Sequence, residues 1–305
     1  MKKSVGYYIV LPLLTLVALL PLRALYVLAD AAYFLIYKVV RYRRGVVREN
    51  LAKCFPELTP AQRLEIERRF YRNFADVAVE TIKLLHISDD EMRRRMEFVD
   101  VDLIDRLVAS GRDVAVYFSH CGNWEWAPSV TLHAAHHHGV DYCQVYRPLR
   151  SRTFDALMLH IRRRFGSSSF PKATVLRDLI KLRRADVRTV TGFMSDQKPS
   201  HGDPTVVDLF LNRPTAIISG TETLVRKMGM AAIYWDMERL SRGHYRITCR
   251  LLDDGTLSSE KGSITRHYAS MLQRTIRRDP AIWLWTHKRW KIPVELPPTP
   301  PATDR

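Results

Sequence analysis

A histidine and a glutamate, His120 and Glu125, stand with four residues between them in the segment DVAVYFSHCGNWEWAPSV. The run from Asp113 to Ser119 is short, apolar and rich in β-formers, and it predicts a buried strand. His120 then falls at the carboxyl end of that strand, where α/β sheets place their ligands. Gly122 and Asn123 predict a turn, and Glu125 opens the helix that follows. Across such a turn the carboxylate can reach the imidazole, fix its tautomer and stabilise the imidazolium. The other ring nitrogen is left free to take a proton from a hydroxyl. Acyl transfer from a thioester to an alcohol needs such a base, and the activated thioester needs no nucleophilic side chain. A histidine at a strand end can equally be a hydrogen-bonded structural residue, and the spacing alone leaves both readings open. Ser119 and Cys121 flank His120, but immediate neighbours on a strand point to opposite faces, so neither is well placed to be activated by it.

Other side chains suggest chemistry less directly. Arg162, Arg163 and Arg164 close an amphipathic segment. Planar guanidinium groups suit bidentate phosphate binding, and a solvated basic helix end explains the same pattern, above all for Arg163. His133, His136, His137 and His138 are clustered before Gly139. His133 and His137 could share a metal on one helix face, but no third ligand is evident, and a polar helix end is the expected reading. Trp283, Trp285 and Trp290 interleave with Arg277, Arg278, Lys288, Arg289 and Lys291. That pattern suits single-stranded nucleic acid or a membrane interface.

The elements that must position these groups are legible in outline. Hydrophobic residues make up 46% of the 305-residue chain, enough for a sizeable core. The net charge of +16 favours an anionic partner: nucleic acid, a phospholipid surface, a phosphorylated substrate or an acidic carrier protein. The four cysteines form no C-x-x-C pair, which excludes a zinc ribbon and a redox motif of that kind and fits a reducing compartment. No P-loop, G-x-G-x-x-G or internal repeat is present.

Ser4 to Leu22 carries no charge and is about long enough to cross a bilayer; a second apolar stretch, Ala24 to Tyr37, precedes the basic run Lys38, Arg41, Arg43 and Arg44. A removed secretory signal is disfavoured because no small-x-small cleavage site follows. Basic residues at both flanks argue for an anchor lying in one leaflet rather than a simple crossing. Thr59, Pro60 and Gln62 predict a capping box, and Ile66, Phe70, Phe74, Val77 and Ile82 a core-facing helical stripe opposite Arg63, Arg68, Arg69 and Arg72. Further strands are predicted at Val140 to Tyr146, Val187 to Met194, Met230 to Asp236 and His244 to Cys249. Helices are predicted at Trp126 to His138, Ser151 to Arg164, Thr174 to Arg184 and Ala216 to Met228. This alternation predicts an α/β fold: a mostly parallel or mixed central sheet flanked by helices, with an N-terminal apolar membrane-anchoring helix.

The ordered blocks RENLAKCFPELT, HCGNWE, VYRPLRSRTFDALMLHIRRRFG, FMSDQKPSHG, TAIISGTETLVRKMG and WLWTHKRWK resemble the lipid A biosynthesis (lauroyl or myristoyl) acyltransferases. These are relatives of the glycerol-phosphate acyltransferases, whose H-x-x-x-x-D/E motif His120 to Glu125 matches in its Glu form. The resemblance runs from about Asn50 to Lys291 and looks most like Bacteroides-type members. It implies His120 as general base with Glu125 as its partner. Arg162, Arg164 and Arg147 match positions tied to substrate phosphates, Asp196 an acidic residue needed for activity, and Asn123 is carried over with the motif as a substrate-binding position.

The resemblance implies no cofactor and no metal. The implied donor is acyl carrier protein, the acceptor a lipid A precursor, and the site the inner membrane with the catalytic domain facing the cytoplasm. The expected division is an anchor over 1–45, an acyltransferase domain over 46–292 and a proline-rich tail over 293–305. Lys198, where many members carry a second Asp, and Tyr234, near a replaced proline, depart from the pattern where the acceptor could be read. Two alternatives are an O-acyltransferase acting on a lysophospholipid or aminolipid, and a non-enzymatic basic membrane or nucleic-acid binding protein.

Overall fold

The structure is a computed structural model that describes residues 4–135, 139–257 and 259–296. His136, His137, His138 and the tail beyond Leu296 lie outside the described residues. The chain begins with α1 (Val5–Leu19), α2 (Leu22–Tyr33), α3 (Arg44–Cys54), α4 (Pro60–Lys83) and α5 (Asp89–Arg95). Then come β1 (Met96–Val99), α6 (Asp102–Ala109), β2 (Val114–Phe118), a 3-10 turn (Trp124–Leu132), β3 (Val140–Tyr146), α7 (Arg152–Arg162) and β4 (Ser168–Pro171). The second half holds α8 (Val175–Arg184), β5 (Arg188–Met194), β6 (Thr205–Phe210), β7 (Arg213–Ile218), α9 (Gly220–Met228), β8 (Ala231–Ser241), β9 (His244–Asp253) and α10 (Ser263–Arg278).

Seven strands form one sheet in the order β1-β9-β8-β2-β5-β3-β4, and β6 and β7 make a separate antiparallel hairpin. Every neighbouring pair in the large sheet is parallel except β8 with β9. The expected mixed α/β architecture is therefore present. All five residues of β2 are buried. That is the mark of a central strand covered on both faces, and it explains why the sequence there is a continuous apolar run. After β2 the chain moves to β3, and after β5 it crosses to β8 on the other side of β2. The carboxyl ends of β2 and β5 thus meet where the connections diverge, the position at which such sheets bind ligands.

Local rules account for most boundaries. Thr59 accepts from the Gln62 amide while the Gln62 side chain accepts from the Thr59 amide, and Pro60 occupies the first turn of α4. Ile66, Phe70 and Val77 are buried on that helix, as their spacing predicts. The N-terminal apolar stretch is shorter than expected: α1 ends at Leu19 because Leu20, preceding Pro21, is held extended. No single described helix is long and apolar enough to cross a membrane, although α1 and the continuation of α2 through Val39 pass that test together, bent by 116°.

Two predicted helices change. Over the described part of Trp126 to His138, up to residue 135, the α-helix gives way to the 3-10 turn Trp124–Leu132, with Pro128, which has no backbone N–H, inside it. The start of Ala216 to Met228 is strand β7, paired with β6, and the helix begins only at Gly220. The structure adds elements outside the predicted set: the helices α3, α5, α6 and α10 and the strands β1, β4 and β6. In α10, Ile264, Tyr268, Leu272 and Ile276 are buried at strict i, i+4 spacing, a signal the sequence does carry.

Candidate active site

Phe118 of β2 pairs in register with Met194 of β5. Two residues further along each strand, His120 and Asp196 therefore stand level at adjacent carboxyl ends. The His120 Nδ1 lies 2.8 Å from one Asp196 carboxylate oxygen, and the His120 backbone amide donates to the other at 3.0 Å. The Trp283 indole donates to that second oxygen at 2.9 Å. Asp196 is 4% exposed. Burial alone would push its carboxyl up, but the charge and ring of His120 and the Trp283 indole outweigh it and hold the group at about 2. A carboxylate so held keeps a proton on Nδ1 and turns the Nε2 lone pair outward. The Gln197 side-chain nitrogen sits 3.1 Å from Nε2.

The expected contact between His120 and Glu125 is replaced by two separate pairs. Glu125 takes two hydrogen bonds from Arg162, Nε at 2.8 Å and a terminal nitrogen at 2.6 Å, in a fork-to-fork arrangement. The turn after Gly122 and the 3-10 geometry aim Glu125 at the end of α7, while Asp196 approaches the imidazole from the neighbouring strand. Glu125 also accepts from the Trp124 indole, whose ring meets the His120 ring edge-on at 5.2 Å.

His120, Glu125 and Arg162 line one cleft of about 680 Å³, together with Trp124, Tyr146, Gln197 and the apolar Phe118, Phe193 and Leu224. Arg147 stands exposed on its rim with Lys172 and Lys227. Two expected substrate contacts lie elsewhere. Arg164 turns from the cleft to bond the Ile87 carbonyl and Asp89. Asn123 is fully buried and donates to Glu80 at 2.8 Å, so it braces the turn instead of facing the cleft. Glu80 also accepts from Tyr26 and Tyr245, and its backbone carbonyl accepts from the Trp126 indole. Cys121 is buried and burial drives its thiol well up, which suits a packed residue and not a nucleophile.

The residues Trp283 and Trp285 are 3% and 0% exposed. Arg278 pairs with Asp236, and Arg289 is buried against the Ala216 carbonyl. Of the aromatic and basic interleaving that suggested a nucleic-acid or membrane surface, Trp283, Trp285 and Arg289 are thus interior packing, while Arg278 stays exposed above the buried Asp236. The physical role of this packing is to clamp the turn at His120: Leu284 donates to the His120 carbonyl, Gly122 to the Ile282 carbonyl, and Cys121 bridges Trp283. Burial lowers His287 to about 4 at the edge of this clamp. His133 packs against Phe98, ring centroids 5.0 Å apart and tilted by 45°, an aromatic packing role. Glu80 carries no motif that spacing could reveal, and the block WLWTHKRWK does not reveal that Trp283 meets Asp196, since their partners come from distant segments.

A profile of the family described as bacterial lipid A biosynthesis acyltransferase matches residues 1–292. The chain is similar to a lipid A biosynthesis acyltransferase of Haemophilus influenzae, 25% identical over 161 residues, which cover 53% of this chain and 49% of the relative. It is also similar to the lipid A biosynthesis palmitoleoyltransferase of Escherichia coli, 21% identical over 257 residues, which cover 83% of this chain and 80% of the relative. The match thus spans about half the length of the first relative and four fifths of the second.

Proposed function

Because the chain belongs to the bacterial lipid A biosynthesis acyltransferases, we propose that it moves a fatty acyl group from acyl carrier protein to a hydroxyl of a lipid A precursor at the inner membrane, with residues 1–45 as the anchor and the catalytic domain facing the cytoplasm. The observation that carries this reading is the imidazole of His120, tied through Nδ1 to the buried carboxylate of Asp196, with Nε2 turned to the cleft. Nε2 takes the proton of the acceptor hydroxyl as its oxygen attacks the thioester carbonyl carbon. Asp196 orients the ring and offsets the imidazolium charge. The tetrahedral intermediate collapses with loss of the thiolate, which takes the proton back from Nε2. Arg162, fixed by Glu125, and Arg147 on the rim supply positive charge for the oxyanion or for substrate phosphates. Glu125 serves the reaction by holding Arg162 in place.

The experiment is transfer by the purified full chain from acyl carrier protein thioesters to a lipid A precursor, read by mass spectrometry. His120→Ala and Asp196→Asn should each lower kcat by about 10²- to 10⁴-fold with the protein still folded. Full activity in either variant would sink the assignment. A wild-type protein that acylates a lysophospholipid or an aminolipid and not the lipid A precursor would keep the chemistry and change the acceptor.

A further inference from the structure

The segment RPLRSRTF, residues 147–154, leads from the end of β3 into the first turn of α7 and edges the catalytic cleft through Arg147 and Leu149. Every residue from Arg147 to Arg152 is exposed, and Leu149 and Phe154 leave 48% and 53% of their surface to solvent. A lone exposed apolar side chain needs no explanation. These two are held outward by the backbone beneath them. The buried Asp155 carboxylate accepts from the Leu149 amide at 2.7 Å, and the Ser151 hydroxyl accepts from the Phe154 amide at 3.4 Å. Between them stand Arg150 and Arg152, whose guanidinium groups make no hydrogen bond or ion pair among the described residues. The start of α1 lies against the same segment. The Ser4 and Thr153 hydroxyl oxygens are 2.8 Å apart, and a Cβ on Gly6 would stand 2.8 Å from the Thr153 hydroxyl oxygen. Val5, between Ser4 and Gly6, is 77% exposed, so the outward apolar surface of α1 begins beside Phe154.

Apolar tips set among free guanidinium groups suit the boundary between headgroups and acyl chains, where rings and leucines enter hydrocarbon and arginines meet phosphate. An acidic protein surface would answer the arginines and leave Leu149 and Phe154 in water, whereas an anionic bilayer answers both. We propose that residues 147–154 are a second membrane contact, apart from the N-terminal helices. Phe154 and Leu149 enter an anionic bilayer, and Arg150 and Arg152 lie on its phosphates. The mouth of the catalytic cleft is thereby set at headgroup level, so that a lipid acceptor passes from the leaflet toward His120 without crossing water. The passage of the acceptor rests on the acyl-transfer reading above; the contact itself does not.

The four native cysteines are buried, so one added cysteine on the surface takes a fluorophore selectively. The test places it in the full chain, reconstituted with vesicles of phosphatidylglycerol and phosphatidylcholine that carry a nitroxide near the top of the acyl chain. Labelled Phe154→Cys should be strongly quenched. The same label at Asp254→Cys should not be, since that loop packs by Gly255 against Arg112 and Ala231 at the amino end of β2, away from the cleft. Arg150→Gln with Arg152→Gln should raise the KM for acceptor in these vesicles by about tenfold or more, at about fivefold for each arginine lost. The kcat, and the KM for acceptor dispersed in detergent, should stay at wild-type values. Quenching at 154 no stronger than at 254 overturns the contact, as does a wild-type KM in vesicles for the double variant. A label at 154 that responds to acyl carrier protein and not to the nitroxide lipid gives the loop to the carrier and overturns it too. Quenching at 154 in a wild-type protein that transfers no acyl group would keep the contact and overturn the acyl-transfer reading.

Discussion

At the scale of single residues, the site is defined by which carboxylate meets which nitrogen-bearing partner. Asp196 holds His120 and Glu125 holds Arg162, and both carboxylates are buried. Breaking such a pair leaves an uncompensated buried charge, so each partner is sensitive to its own neutralisation. Asp196 and the neighbouring His287 set the acid response. His287 is lowered from its ordinary value near 6.5 to about 4 by burial. Between those values the unfolded chain binds a proton that the folded chain refuses, so stability falls as pH drops from about 6.5 to about 4 and this contribution then levels off. Asp196 adds a second loss, from its ordinary 3.8 down to about 2, as its carboxylate is forced to protonate. Thermal unfolding of His287→Gln across pH 7 to 4 should show a flatter slope than wild type. An identical slope would mean His287 does not carry the first window.

At the scale of elements, the decisive piece is the turn between β2 and the 3-10 segment. Gly122 adopts φ +55°, and a Cβ there would meet Met237 Cγ at 2.9 Å and Tyr245 at 3.3 Å. Only glycine combines that backbone with that closeness. Gly122→Ala should cost about 1–3 kcal/mol from strain and overpacking, measured by urea unfolding, with a fall in transfer because His120 and Glu125 sit on either side. Wild-type stability in that variant would show that the turn relaxes freely. Glu80 on α4 braces the same turn through Asn123 and ties it to Tyr26 on α2 and Tyr245 on β9. The motif HCGNWE therefore holds its shape through residues the motif does not contain.

At the scale of the whole molecule, the N-terminal helices offer an outward apolar surface. Val5, Ile9, Leu13, Leu16 and Leu20 are exposed along α1 and the residue after it, and Val27, Leu28, Phe34 and Leu35 continue it beyond the bend. α2 is fastened to the body by Tyr26 on Glu80 and by Asp30 on Arg242. An exposed apolar stripe beside a net charge of +16 suits seating on an anionic bilayer. Burying a leucine is worth about 1.5–3 kcal/mol. Leu13→Lys with Leu16→Lys should therefore weaken co-sedimentation with anionic phospholipid vesicles by at least about tenfold. Binding at wild-type strength would place the membrane contact on another face.

The amino-acid sequence by itself determined the α/β class, the strand before His120, the capping box at Thr59 and the family resemblance, because each rests on local periodicity, local capping or ordered motifs. It also located Asp196 and Arg162, though only as members of blocks. Tertiary structure alone decided how His120, Glu125, Arg162 and Asp196 pair. Spacing joins His120 to Glu125, since they are neighbours along the chain. Strand register joins His120 to Asp196, since β2 and β5 are neighbours in the sheet. The placement of Trp283 and Trp285 was likewise undecidable from composition, because an aromatic run beside arginines reads alike on a surface and in a core until the partners, Asp236 for Arg278 and the Ala216 carbonyl for Arg289, are brought to it by the fold. Local order is written in local sequence; the choice of partner for a buried charge depends on which distant strands pack together, and for His120 the fold supplies Asp196.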